Sequence, residues 1–347
     1  MHSATAPALP LSTAQEGLAS AAFRAWARPL GGLAILALLL WRLGTGPFVD
    51  GLRLISGGTV AAAVGIGALT TVCCAWRWSL VAGGLGVRLP LRTAVADCYR
   101  SVFLNATLPG GVLGDVHRAV SHGRDVGDVG RGIRAVMWER SAGQVVQLAL
   151  AVAVLSALPS PVQSAMPAVT AVGVAGVLGA LLLSRALPGD GLSRLARALR
   201  TARTDIRDGL LARRTWPRIL LASAVAVSGH LATFLIAARA AGSVAPLSRL
   251  IPLTLLALVA MGVPANVGGF GPREGVAAWA FGAAGLTAAT GVATAVLYGA
   301  LVLVSSLPGA AVLAARRMRI SAGGAALQAK ADRAARRLRL PAVGWHA

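Results

Sequence analysis

Long apolar runs alternate with short arginine-rich stretches along most of this chain. Several runs approach the roughly 20 residues that an α-helix needs to cross the hydrocarbon core of a bilayer. They predict spans over about 30–49, 55–75, 142–158, 166–183, 219–241 and 286–314. The expected fold class is therefore all-α: a polytopic integral membrane helical bundle with about six to eight transmembrane helices.

Two of the apolar stretches are interrupted by proline, glycine and charged residues and cannot continue as spanning helices. The first reads NATLPGGVLGDVHR over 105–118, and the second reads PANVGGFGPREG over 264–275. Irregular backbone at membrane depth survives only where it is buried in protein or lines a wet cavity. We therefore expect two re-entrant or broken helical segments that form the working parts of the molecule. The chain has six spans if both breaks are re-entrant. It can have eight if both arms of the second break cross the membrane.

The two breaks follow a similar order, with a proline before a double glycine and then a charged cluster that starts a helix. Interrupted segments at corresponding places in two halves are the sequence signature of inverted-repeat transporters. Arginine bias places the 77–140 and 184–218 regions and both termini in the cytoplasm. The first break then enters from the cytoplasm and the second from outside. Their spacing differs, so an inverted repeat and two unrelated breaks both stay open.

Composition and charge support a membrane protein over a soluble one. The chain is 56% hydrophobic and 13% charged, with 33 Lys+Arg against 12 Asp+Glu and a net charge of +21. Nucleic-acid binders are also basic, but their charge lies on a soluble folded face. Here the arginines fall between apolar runs, as in cytoplasmic loops that face anionic lipid. We expect no nucleic-acid partner, a disordered cytoplasmic N-terminus (1–27), a transmembrane domain (28–315) and a basic cytoplasmic tail (316–347).

The candidate site is a polar cavity between the two breaks. A helix that begins after each turn points free N–H groups at the break and favours phosphate, and arginines add bidentate contacts to a phosphodiester. Adjacent acids would balance these arginines in the empty site. The candidate substrate-binding residues are Asn105, Pro109, Gly110, Gly111, Gly114, Asp115, Arg118, Glu139, Arg140, Gly268, Gly269, Gly271, Arg273 and Glu274. A structural salt-bridge core is the alternative, and Glu139–Arg140 is equally interpretable as an interfacial cap.

Other features have plain interpretations. Trp76–Arg77–Trp78 ends the second predicted span and indicates an interfacial anchor. His230 is a lone histidine in a span, either functional or bonded to a neighbouring helix. The arginine-rich 184–218 region is either an amphipathic helix on an anionic leaflet or a solvated connector.

A metal-dependent enzyme is the main rival to a transporter. The acidic and histidine residues of one region suggest a metal cluster, but His117 and His122 are five apart and share a helix face poorly. The residues in question are Asp115, His117, His122, Asp125 and Asp128. No GxxxxGK[ST] loop is present, and we expect no metal and no cofactor. A membrane enzyme that modifies lipid head groups and a non-transporting scaffold for envelope lipid biosynthesis stay open.

Four motifs in this order resemble the lysylphosphatidylglycerol synthase transmembrane region, also called the flippase-like family. They are Arg77–Trp78, Asn105 to Arg118, Glu139–Arg140, and Pro264 to Gly275. The resemblance runs from roughly 30 to 315 and implies a multi-pass protein of the cell membrane whose relatives are linked to moving lipids between leaflets. It implies membrane lipids as partners, either an anionic phospholipid or a polyprenyl-linked lipid, and a lipid-synthesising enzyme as a further partner.

The resemblance covers the membrane region and not the soluble synthase domain of the aminoacyl-lipid members. About thirty residues follow Arg316, so we expect a stand-alone translocation module that is not an enzyme.

Overall fold

Helices make up the secondary structure of the described residues, and the predicted all-α membrane bundle is confirmed. The structure is a computed structural model that describes residues 30, 33–108, 111–186, 194–263, 270–316 and 318. The predicted N-terminal segment 1–27 and nearly all of the tail lie outside these residues. The helices are α1 Leu33–Leu43, α2 Gly46–Arg53, α3 Gly57–Gly84, α4 Leu91–Thr107, α5 Leu113–Asp125, α6 Val129–Ala157, α7 Met166–Ala186, α8 Arg194–Thr204, α9 Trp216–Ala240, α10 Leu247–Ala260, α11 Pro272–Ala283 and α12 Ala288–Ser306.

Four of the described helices are long and apolar enough to cross a membrane: α3, α6, α9, and α12 with its extension to Arg316. The pair α1 and α2 passes the same test together but is bent by 97°. α10 and the segment Gln163–Gly179, which includes the first part of α7, are apolar but shorter. Length and composition therefore give four spans in the described ranges, or five with the bent pair, against the six to eight predicted.

The predicted first span, 30–49, is a bent pair of helices. Gly44 ends α1 with a φ of 72°, a left-handed conformation that glycine adopts without steric cost. Pro47 then lies in the first turn of α2, where a proline is well tolerated because its missing N–H is not needed. These two residues turn the chain within an apolar stretch that hydropathy alone joins into one span.

The predicted third span begins earlier than expected. Asp128 caps α6, and its side chain accepts a hydrogen bond from the Arg131 backbone N–H at 2.8 Å. Such a cap satisfies a donor that the first helical turn leaves free. Arg131 and Arg134, which precede the predicted span over 142–158, therefore lie on α6, and Glu139 lies well inside this helix.

The 184–218 region is helical over most of the part that is described, with a turn at 211–215. α8 is followed by a π-helical turn, Asp205–Leu210. The Asp205 carboxylate accepts hydrogen bonds from Arg134 Nε at 2.9 Å and Trp138 Nε1 at 3.0 Å. The region is thus tied to α6, which a freely solvated connector would not be.

The first break joins α4 to α5, and these two helices pack against each other. Asn105 Oδ1 accepts a hydrogen bond from the Gly114 backbone N–H at 2.8 Å, which links the end of one helix to the start of the other. Gly111 lies between them with a φ of 62°. Gly114 packs directly on α4, since a Cβ there would lie 2.2 Å from the Ser101 carbonyl oxygen. Gly111 therefore serves a turn, and Gly114 serves a close helix contact.

Gly114→Ala is expected to destabilise the protein by about 1–3 kcal/mol, because the added methyl group forces α4 and α5 apart. Thermal unfolding of the purified protein in detergent measures the change. Gly65→Ala is the matched control, because a Cβ at Gly65 in α3 meets nothing within 4 Å. Equal unfolding temperatures for the two variants would contradict the close contact.

Candidate functional site

A cavity of about 360 Å³ lies between the two breaks. Helices from both halves of the chain contribute to its wall, including α3 to α6, α9, α11 and α12. Eight candidate residues line it: Asn105, Gly111, Asp115, Arg118, Glu139, Arg140, Gly271 and Arg273. Gly114 and Glu274 hydrogen-bond to lining residues, whereas Pro109, Gly110, Gly268 and Gly269 lie outside the described residues. The structure thus places ten of the predicted residues at one site, and their role in binding stays a prediction.

A second space, of about 670 Å³, lies between the end of α6 and α7. Its lining is mostly apolar and carries no charged side chain among the described residues. The charged chemistry of the molecule is concentrated in the smaller cavity, which is therefore the candidate site.

Glu139 is the centre of a buried network that joins four helices. Its Oε1 accepts a hydrogen bond from Arg77 Nε at 3.0 Å, and its Oε2 accepts one from Arg118 Nη2 at 2.7 Å. Arg77 also donates from Nη1 to Ser223 Oγ on α9 at 3.0 Å. The three charged side chains are at most 7% exposed. Because Glu139 is buried inside α6, the interfacial-cap interpretation of this residue is wrong.

Asp115 is the second acidic centre, and four donors surround it. Oδ1 accepts from Ser101 Oγ at 2.9 Å and pairs with Arg118 at 3.3 Å. Oδ2 accepts from Asn105 Nδ2 at 2.9 Å and pairs with Arg140. The first break thus supplies an acid that contacts arginines from both α5 and α6.

Arg77 and Trp78 do not form the predicted interfacial anchor. Trp78 is completely buried, and the Arg118 guanidinium carbon lies 4.5 Å from the centre of its ring. An arginine over a tryptophan face gains cation–π stabilisation, which grows when the pair is removed from water. Trp78 therefore packs against the charged network in the interior of the protein and does not mark the membrane surface.

The second break carries its own ion pair. Arg273 donates from Nε to Glu274 Oε1 at 2.8 Å and contacts the same oxygen through Nη2. Glu274 Oε2 accepts a hydrogen bond from the Gly271 backbone N–H at 2.7 Å, which caps the start of α11. The Arg273 guanidinium also lies 5.1 Å from the centre of the Tyr298 ring. The pairing of charges that the sequence suggested is present at both breaks.

Sequence reasoning missed several residues of the site. Ser101 binds Asp115, and it lies four residues before Asn105 on α4, which puts both on one helix face. This four-residue spacing was the sequence signal that could have identified Ser101. The Tyr298 hydroxyl shares a hydrogen bond with His230 Nδ1 at 3.0 Å, which is the contact with a neighbouring helix that the sequence left open for His230. His230 also lines the cavity. No local pattern indicates Ser223 or Tyr298.

The proposed metal ligands are not brought together. Within the described ranges, no group of three or more histidine, cysteine or acidic residues is placed to hold a metal ion. Asp115 is engaged by arginines, and the His122 ring lies edge-on against Trp78 at a centroid distance of 5.2 Å. Asp115 and His122 therefore make other contacts in this structure.

Fold and site together define a multi-pass helical membrane protein with a charged internal cavity between two broken helices. Residues 29–309 match the family described as the lysylphosphatidylglycerol synthase TM region. The match covers most of the chain, so the protein belongs to this family, and the resemblance noted in the sequence is confirmed. It is a membrane family of the flippase-like type and is not a known catalytic domain on its own. No curated protein and no solved structure matches the chain.

Proposed function

We propose that this protein moves an anionic phospholipid or lipid-linked intermediate across the bilayer, with the head group passing through the cavity between the two broken helices. The observation that carries the proposal is the meeting of both breaks at one cavity of about 360 Å³ with arginines in its wall. This volume lies within the roughly 300–1,000 Å³ typical of small-molecule sites. The acyl chains would stay in the surrounding bilayer.

The charge of the cavity suits an anion. Among the described lining residues and their direct partners there are four arginines and three carboxylates. One positive charge is therefore left in excess. The charged residues counted here are Arg77, Arg118, Arg140, Arg273, Asp115, Glu139 and Glu274. The starts of α5 and α11, where the helix dipoles present their positive ends, lie at the two breaks.

The rest of the lining suits an amphiphile. Alongside the arginines the cavity wall carries a set of apolar side chains that could contact the first carbons of acyl chains. They are Leu52, Val102, Ala106, Met261, Val263, Phe270, Val302 and Leu303. A site for a small soluble anion would not need this apolar surface, whereas a lipid presents both chemistries at once.

The proposal extends to location and supply. Arginine bias supports the cell membrane with both termini cytoplasmic. A lipid-synthesising enzyme would provide the substrate on one leaflet. Movement would be downhill, or coupled to an ion or to a partner protein.

Ala106→Trp is expected to abolish lipid movement, because Ala106 lines the cavity and an indole ring would occupy the path of the head group. Purified protein is reconstituted in vesicles that contain fluorescent phosphatidylglycerol, phosphatidylcholine or polyprenyl phosphate. Dithionite then bleaches the label on the outer leaflet, and the fraction bleached measures movement. Val145→Trp is the matched control, because Val145 on α6 is 65% exposed and does not line the cavity.

Three results would contradict the proposal. One is wild-type protein that moves none of these lipids, as a scaffold would behave. Another is Ala106→Trp that moves lipid as fast as Val145→Trp. The third is chemical conversion of the lipid without movement, seen by mass spectrometry, which would indicate a head-group-modifying enzyme.

A further inference from the structure

We infer that Arg140 is the residue that binds the head-group phosphate, and that Asp115 occupies its guanidinium while the site is empty. The inference rests on the proposed function and assigns different roles to the arginines that line the cavity. It identifies one of them as exchangeable and the other three as fixed parts of the protein.

Exposure distinguishes Arg140 from the other three. Its side chain is 49% exposed, whereas those of Arg77, Arg118 and Arg273 are 7%, 3% and 5% exposed. A guanidinium must present free N–H groups to bind phosphate in the bidentate manner that arginine favours. Of these four arginines, only Arg140 has a side chain that is more than 7% exposed, so its guanidinium is the one that a ligand in the cavity can reach.

Hydrogen bonding leads to the same residue. Arg77 spreads three of its nitrogens over Glu139, Ser223 and Cys74, and Arg118 contacts Glu139, Asp115 and Cys98. Arg273 holds Glu274 with two nitrogens. Within the described part of the chain, Arg140 makes its ion pair through Nη2 to Asp115 alone. Its remaining donors are available to a ligand.

Release of Arg140 leaves Asp115 well satisfied. The carboxylate keeps its hydrogen bonds from Ser101 and Asn105 and its contact with Arg118. A buried carboxylate that loses all its partners is costly, but one that keeps three donors is not. Displacement of Asp115 from Arg140 by a phosphate oxygen is therefore an exchange of one anionic oxygen for another.

The shared chemistry of the ligand is a phosphate with at least one negative charge. A lipid head group and a free phosphate ester both provide it, and the apolar part of the lining favours the lipid. Isothermal titration of the full-length protein in detergent separates the two sources. The probes are dihexanoyl phosphatidylglycerol, glycerol 3-phosphate, and dihexanoylglycerol, which has the same chains without the phosphate.

Arg140→Gln is expected to weaken binding of dihexanoyl phosphatidylglycerol by roughly ten- to a hundredfold, because a charged hydrogen-bond partner is lost. Arg140→Lys keeps the charge but not the planar guanidinium, so its affinity for dihexanoyl phosphatidylglycerol should lie between those of the wild type and Arg140→Gln. Arg131→Gln is the matched control and should bind like the wild type. Arg131 lies on the same helix, is 43% exposed and pairs with one acid, Asp128, away from the cavity.

Asp115→Asn provides an independent measurement. If the Asp115 carboxylate competes with the lipid phosphate for Arg140, its neutralisation should tighten lipid binding. It should also slow lipid movement in the vesicle assay, because Asp115 no longer displaces the bound phosphate from Arg140. Size-exclusion elution and thermal unfolding confirm that each variant is folded.

The outcomes separate this inference from the proposed function. Equal binding by Arg140→Gln and Arg131→Gln, or weaker binding by Asp115→Asn, would overturn the inference even if wild-type protein moves lipid. Arg140-dependent binding without lipid movement would uphold the inference and reject the proposed function. Glycerol 3-phosphate that binds as tightly as the lipid would overturn the assignment of a lipid ligand.

Discussion

Glu139→Gln is expected to destabilise the folded protein by about 3–5 kcal/mol, the cost of breaking a buried ion pair by removal of one partner. The effect should be large because Glu139 serves two buried arginines, Arg77 and Arg118, on its two carboxylate oxygens. Glutamine has the same shape, so the core packing is retained. It still accepts hydrogen bonds through one oxygen, but it leaves two positive charges at 7% and 3% exposure without their shared counter-charge.

The measurement is unfolding of purified protein in mixed micelles, followed by intrinsic tryptophan fluorescence. Asp128→Asn is the matched control on the same helix. Its pair with Arg131 is 43% and 44% exposed, and exposed ion pairs contribute about 0–1 kcal/mol. Asparagine also keeps the helix cap. Similar losses for the two variants would show that the Glu139 network is not a buried electrostatic centre.

The breaks themselves could be predicted from the sequence, because their signals are local. Proline and glycine interrupt an apolar run within a few residues, and bilayer physics then restricts where such backbone can lie. The same signal was present in Gly44 and Pro47, inside the predicted first span. Their apolar neighbours outweighed it in the hydropathy pattern, so the 97° bend between α1 and α2 was missed.

The partners of the charged residues could not be predicted, because they depend on which helix faces meet. Arg77 and Glu139 are 62 residues apart, and Arg77 and Ser223 are 146 apart. Helical periodicity identifies a face but not the helix that packs against it. The starting point of α6 had a further consequence. Because α6 begins directly after Asp128, Glu139 lies inside the bundle. A helix that began at 142 would have left Glu139 at the edge of the bundle.

The burial of the individual arginines also could not be predicted from the sequence. Arg118 and Arg273 follow the two breaks and were the natural choices for direct phosphate contacts. In the structure both arginines form ion pairs with carboxylates, and their side chains are only 3% and 5% exposed. Burial decides which guanidinium is free, and burial depends on the packing of the whole bundle.

Glu274→Gln is expected to cost a similar 3–5 kcal/mol, because Glu274 is completely buried and holds the Arg273 guanidinium. Glutamine can still accept the hydrogen bond from the Gly271 N–H and cap α11. The loss should therefore come from the unpaired charge on Arg273 rather than from fraying of the helix. The double variant Arg273→Gln/Glu274→Gln removes both charges and should recover much of the lost stability.

Lipid movement by the double variant then decides what the second pair does. Removal of one arginine and one carboxylate leaves the positive excess of the cavity unchanged, and Arg140 is untouched. We therefore expect the vesicle assay to recover together with the unfolding free energy, as it would if the Arg273–Glu274 pair holds the second break in shape. Arg273→Gln alone should be impaired, because it strands Glu274 in a buried position. Recovered stability without recovered movement would instead place Arg273 in direct contact with the head group, and the assignment of three fixed arginines would be wrong.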